Sequence, residues 1–102
     1  METRKLKPEV AMYLRRIGDM RSVQKHGRAV QLCDRALEHG PDPRLINVIL
    51  NFKADSLYRV GRRIREEFLI DMARQCYGQI LEADPEDYMA QKGLERINFE
   101  YY

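Results

Sequence analysis

Residues 54–87 read ADSLYRVGRRIREEFLIDMARQCYGQILEADPED, and the distribution of bulk along them constrains the fold. Leu57 is followed by Val60-Gly61 and Ile64, then by Ala73, Tyr77, Ile80 and Pro85. Gly61 and Ala73 lack bulk, so two antiparallel helices can approach closely there, while Leu57, Ile64 and Tyr77 fill the space beside them. The preceding chain repeats the constellation. Tyr13, Ile17, Met20, Ala29, Cys33, Ala36 and Pro41 each lie 44 residues before Leu57, Gly61, Ile64, Ala73, Tyr77, Ile80 and Pro85. A constant offset across all of these positions marks an internal repeat. The first copy is degenerate: only Ala29 and Pro41 are identical to their counterparts, and Ile17 replaces the glycine, with Gly18 one place late.

The second copy resembles a tetratricopeptide repeat, a helix-turn-helix unit of about 34 residues. Its large, small and aromatic places and its closing proline stand at the family's spacing throughout. The resemblance covers the chain from Val10 onward. It implies an all-α protein whose antiparallel hairpins form a right-handed superhelix of about five helices within one domain, residues 1–102. The repeat-like units span about 10–43 and 54–87, with a terminal helix over 85–98. The offset exceeds the usual tandem period by about ten residues, and residues 44–53 must absorb that excess.

Helical periodicity agrees with this organisation. Val10, Tyr13, Leu14, Ile17 and Met20 recur at three- and four-residue steps, predicting a helix from Pro8 to Arg21 or Ser22 behind a loose basic leader. A second helix is predicted from His26 to His39, with Ala29, Val30, Leu32, Cys33, Ala36 and Leu37 inward and Gly40 as a left-handed stop. Asp42-Pro43 then reads as an N-cap followed by proline at the first helical position. The run RLINVILNFK favours a buried strand by composition, but its pattern continues at helical spacing into the second copy without a breaker. One long helix over 43–65 is therefore expected, turning at 66–68. The alternative makes Gly61 a C-cap with the next helix starting directly after it. The fourth helix should run to Ala83, with Ile70, Ala73, Tyr77, Ile80 and Leu81 presented to the core, and Asp84-Pro85 should open the fifth. The aromatic tail, FEYY, has no assigned role.

Composition narrows the function classes. At 44% hydrophobic and 33% charged residues the chain lies within the globular range. No apolar run approaches the ~18 residues of a membrane span, and METRKLKPEV has no apolar stretch to make a secretory signal. Cys33 and Cys76 fall on inward helix faces and outside any CxxC, so both read as reduced thiols of a cytoplasmic protein. His26 and His39 have no zinc-ligand spacing, and His26 reads as a packing residue. Adjacent Glu66-Glu67 point different ways on a helix and make no acid/base pair. No phosphate loop or nucleophile-base pattern appears. The chain reads as a non-enzyme without metal or cofactor.

The resemblance also implies a binding surface. In tetratricopeptide repeats the first helix of each pair lines a concave face. Carried over, its places are Ala11, Leu14, Arg15, Gly18, Arg21 and Ser22 in the first copy. In the second copy they are Asp55, Tyr58, Arg59, Arg62, Arg65 and Glu66, and on the fifth helix Met89, Lys92, Gly93 and Arg96. Arg15, Arg21, Arg59, Arg62, Arg65, Lys92 and Arg96, with Tyr58, thus form a candidate partner-binding face with two acids, Asp55 and Glu66. The bland alternative is a solvated polar face. Arginine in place of lysine favours a site, since the planar guanidinium holds carboxylates bidentately. The carboxylate clamp for chaperone C-termini is not matched, because Leu14, Gly18, Arg59, Met89 and Gly93 stand at its polar places. The expected function is a scaffold or adaptor that binds an acidic peptide or helix of another protein. A nucleic-acid-associated protein and a structural homo-oligomer are the alternatives. Net charge +2 argues against the first of these. The apolar run Leu45, Ile46, Val48, Ile49, Leu50 and Phe52 shows more than one apolar face, which a second copy, as a homodimer, or a tightly bound partner could cover.

Overall fold

In the computed structural model, which describes residues 6–101, the chain forms five α-helices. They are α1 (Pro8–Ser22), α2 (His26–Glu38), α3 (Pro43–Ile64), α4 (Glu67–Ala83) and α5 (Tyr88–Tyr101). Successive helices pack as antiparallel neighbours, and α3 also touches α1 and α5. No described helix is long and apolar enough to cross a membrane.

The helix boundaries follow local chemistry. Pro8 and Pro43 occupy first-turn positions, and the Asp42 side chain caps α3 by accepting the Arg44 N–H at 2.9 Å. Gly40, at φ 60°, supplies the left-handed residue after α2. Residues 1–5 of the expected leader lie outside the described residues. Lys7, its last residue, is not loose: its ammonium donates to the carbonyls of His39 at 2.9 Å and Gly40 at 3.3 Å, at the C-terminal end of α2.

Two boundaries differ from the sequence reading. The α3–α4 turn falls at Arg65 and Glu66, slightly before the expected 66–68. Arg65 adopts φ 58°, and the Glu66 N–H donates to the Gly61 carbonyl at 2.8 Å. A helix can thus end without glycine or proline when tertiary packing holds a single left-handed residue. Gly61 itself lies inside α3, buried, where a Cβ would stand 3.0 Å from the Glu66 carbonyl oxygen, Ile70 Cδ1 and Leu69 Cβ. The C-cap role considered for Gly61 is therefore wrong, and its close-packing role is right. The second difference is α5, which begins at Tyr88 rather than at Pro85. The acidic run contains two capping groups. Asp84 accepts the Glu86 N–H to close a turn around Pro85, and Asp87 takes the cap by accepting the Ala90 N–H at 2.9 Å. At its other end α5 continues past Asn98 to Tyr101.

Helix α3 divides two apolar clusters. Ile49 joins Ile17, Leu32, Cys33 and Ala36 on the α1–α2 side. Leu50, Ala54, Leu57 and Tyr58 join Ile70, Ala73, Tyr77, Ile80, Ala90 and Ile97 on the α4–α5 side. The two apolar faces of residues 45–52 are therefore covered within the chain, and only Val48 of that run is exposed, at 42%. Intrachain packing thus removes the main sequence argument for a homodimer. Ile64, expected to fill core space, is 52% exposed at the last residue of α3.

Tyr77 lies where α4 meets α5, and a Cβ added at Gly93 would collide with the hydroxyl edge of the Tyr77 ring. A Cβ at Gly78, one residue on in α4, would meet nothing within 4 Å. Gly93→Ala should therefore destabilise by ~1–3 kcal/mol through overpacking, less whatever the alanine returns in helix propensity. Gly78→Ala should stabilise by ~0.4–1 kcal/mol. Thermal denaturation of the two variants checks both the sign and the contrast.

Candidate functional site

The side chains expected to line a basic face do not form one uniform surface. The centre is Asp55, on α3, whose side chain is only 14% exposed. Its Oδ2 accepts from Arg21 of α1 at 3.0 Å and from Arg59 one turn on at 2.8 Å. Its Oδ1 accepts from Arg96 of α5 at 3.1 Å. One carboxylate therefore joins three helices through three guanidinium groups. Burial disfavours the Asp55 anion, but the hydrogen bonds and charges of Arg59 and Arg21 outweigh it and hold the carboxyl below its ordinary value.

Arg21 is set deepest of the described arginines. It also donates to the Phe52 carbonyl at 3.2 Å and to Ser56 Oγ at 2.9 Å, and its guanidinium lies 5.1 Å from the Phe52 ring centroid. Ser56 is wholly buried, and its hydroxyl lies 3.5 Å from His26 Nδ1. Partial burial, then the charges of Arg59 and Arg21, lower the His26 pKa. His26, expected to be a packing residue, thus stands at the edge of a polar cluster.

A second acid completes the arrangement. Tyr58, 2% exposed, donates its hydroxyl hydrogen to Glu100 Oε2 at 2.6 Å. Arg62 donates to the Tyr58 hydroxyl at 3.3 Å and lies 3.9 Å from Glu100 Oε1. The Arg96 guanidinium lies over the Tyr58 ring, 4.3 Å from its centroid. Burial, then the hydrogen bond and charge of Glu100, raises the Tyr58 pKa. Residue 100 belongs to the tail that had no assigned role, so its contribution was missed.

Between α3, α5 and the α1–α2 turn these groups border an open cleft of about 430 Å³, lined by Gln24, His26, Tyr58, Arg59, Val60, Arg62, Arg63 and Arg96. Arg59, Arg62, Tyr58 and Arg96 were expected here, and Arg21 braces the cleft from behind through Asp55. The others lie elsewhere. Arg15 is exposed on α1 and makes no ion pair among the described residues. Arg65 is the exposed left-handed residue of the α3–α4 turn. Lys92 lies on α5 with Glu95 at 3.3 Å and the Tyr88 ring at 5.6 Å. The acid facing the arginines beside Asp55 is Glu100, whereas Glu66 sits in the turn. Arg63 and Gln24 were not anticipated. Arg63 lies outside the concave positions of the repeat register, and Gln24 reaches the cleft as a left-handed turn residue at φ 61°.

Both cysteines are free. Cys33 is buried, and desolvation pushes its thiol up to about 12. Among the described residues no group of three or more His, Cys, Asp or Glu is placed to hold a metal ion. Comparison with protein-family models, with curated proteins and with solved structures gave no match to this chain.

The arrangement can hold an anion, because its guanidinium groups are positioned by internal acids and still border solvent. Asp55→Asn should loosen three helices at once and cost ~1–3 kcal/mol at neutral pH, as for hydrogen bonds to charged groups. The folded-state pKa of Asp55 is lowered from its ordinary 3.8, so its stabilisation is present above that value and lost as pH falls through the lower folded value. Melting temperatures of wild type and variant should therefore converge below the ordinary carboxylate range and diverge above it.

Proposed function

We propose that this chain is a protein-interaction module, a scaffold or adaptor, that holds an acidic segment of a partner protein in the cleft between α3, α5 and the α1–α2 turn. The observation that carries the reading is the arginine cluster. Arg59 and Arg96 are fixed on Asp55, and Arg62 on Tyr58, and each still borders the cleft. Fixed guanidinium forks lose little freedom when they take a carboxylate, which is what makes a basic surface selective rather than merely soluble. No catalytic step and no cofactor enters this function.

The tetratricopeptide reading belongs to the same proposal. It is supported by the paired order of α1–α2 and α3–α4, by the close crossing at Gly61, by buried Ala29 and Ala73 at equivalent places, and by α5 lying over the second pair. Cys33, wholly buried among apolar side chains, suits a reducing, cytoplasmic setting.

Arg59 is an unsuitable single probe, because reversing its charge would set two carboxylates side by side at Asp55. Arg62 and Arg63 are exposed near the end of α3, and because Arg62 lies 3.9 Å from Glu100 Oε1 it is neutralised rather than reversed. Each exposed ion pair contributes ~0.2–1 kcal/mol, so the Arg62→Gln, Arg63→Glu variant should weaken capture of a glutamate-rich peptide by roughly two- to thirtyfold while retaining its helical spectrum. Calorimetric titration at two salt concentrations checks this, with affinity falling as the screening length drops from ~10 Å at 0.1 M toward ~3 Å at 1 M. Unchanged affinity in the double variant would remove the cleft as the binding site.

A further inference from the structure

We infer that the group seated in this cleft is a phosphate monoester, carried as a phosphorylated side chain on the acidic segment. The inference rests on the interaction-module reading above and specifies the anchor of that segment. Its basis is a mismatch between what the cleft offers and what one carboxylate can use. A carboxylate can take several guanidinium groups, as Asp55 does, but it carries a single charge and its lone pairs lie in one plane. Here four guanidinium groups border one cleft, Arg59, Arg62 and Arg63 from α3 and Arg96 from α5, so donors approach from more than one direction. A phosphoryl group has three strong acceptor oxygens arranged tetrahedrally, which suits donors on two helices better than one plane does.

The internal bonds leave specific N–H groups over. Arg59 is bound to Asp55 through Nε, which leaves its two Nη atoms. Arg96 is bound to Asp55 through Nη2, and Arg62 to Tyr58 through Nη1, leaving other N–H groups of each for a ligand. His26 lines the same cleft, its Nδ1 3.5 Å from Ser56 Oγ. Charge points the same way. Among the described residues the four cleft arginines pair only with Asp55 and Glu100, and Asp55 is shared with Arg21, which leaves at least two positive charges uncompensated there. A phosphate monoester carries about −1.5 to −2 at neutral pH, against −1 for a carboxylate.

The test uses an acidic heptapeptide with a central phosphoserine, the same peptide with glutamate there, phenyl phosphate, and a short single-stranded oligonucleotide, each titrated into the full chain. Calorimetry gives affinity, and arginine side-chain N–H resonances give location. The phosphopeptide should bind about tenfold or more tightly than the glutamate peptide, perturb Arg59, Arg62, Arg63 and Arg96, and be displaced by excess phenyl phosphate. Arg63→Gln and the charge-conserving Arg62→Lys should each shrink the preference for the phosphopeptide while the helical spectrum is unchanged. Equal affinity for the two peptides at the cleft would overturn the phosphoryl assignment and leave the acidic-segment reading standing. Failure of both peptides to bind would overturn both readings. Tighter binding of the oligonucleotide, or binding of phenyl phosphate as tight as that of the phosphopeptide, would overturn the assignment to a phosphorylated protein segment.

Discussion

Everything in this fold leans on the two-sided burial of α3. A helix of 22 residues, roughly 33 Å long at 1.5 Å per residue, would be costly in water with Ile49 and Leu50 on different faces. It is stable here because α1–α2 covers one face and α4–α5 the other. The two cores are separate clusters sharing one wall, so a defect in α3 is felt in both. The approach of α3 to α4 depends in turn on Gly61, since any side chain there would meet a backbone carbonyl and two packed side chains of the following turn and helix.

The polar centre uses the same helix. Asp55 lies between buried Ala54 and buried Ser56, so the packing that buries those neighbours also carries its carboxylate into a partly dry environment. Such a carboxylate is stable only when opposing charge reaches it. Arg21 arrives from α1, Arg59 from the next turn of α3 and Arg96 from α5. A buried acid holds basic groups in place, and the groups it holds border the cleft.

This also changes the meaning of the arginines. A row of positive residues in a sequence suggests a uniformly basic surface. In the folded chain Arg21 is largely consumed in holding helices together, Arg59 and Arg96 are partly consumed, and Arg62 and Arg63 remain most available to solvent. Under the proposed function, affinity for an anion depends less on the number of arginines than on which N–H groups internal acids leave over.

Helical periodicity and capping chemistry were enough to establish the helix count, the long α3, the stops at Gly40 and Asp42-Pro43, and nearly all of the buried faces. These are local properties, set by three- and four-residue spacing and by which residues tolerate a given φ. The close approach at Gly61 was legible too, because glycine amid large apolar residues has few other uses. Part of the site was legible through repeat register, namely Arg21, Tyr58, Arg59, Arg62 and Arg96. The rest was decided by contacts between residues far apart in the chain. Glu100 reaches Tyr58 across 42 positions, and Arg21 reaches Asp55 across 34. Arg63, Gln24 and His26 enter the cleft through the placement of a turn against the end of α3, and Gly93 matters only because the Tyr77 ring lies against it. Periodicity assigns each residue to a face of its own helix, but a carboxylate's partners depend on how helices are juxtaposed, and that juxtaposition exists only once the two cores have closed on α3.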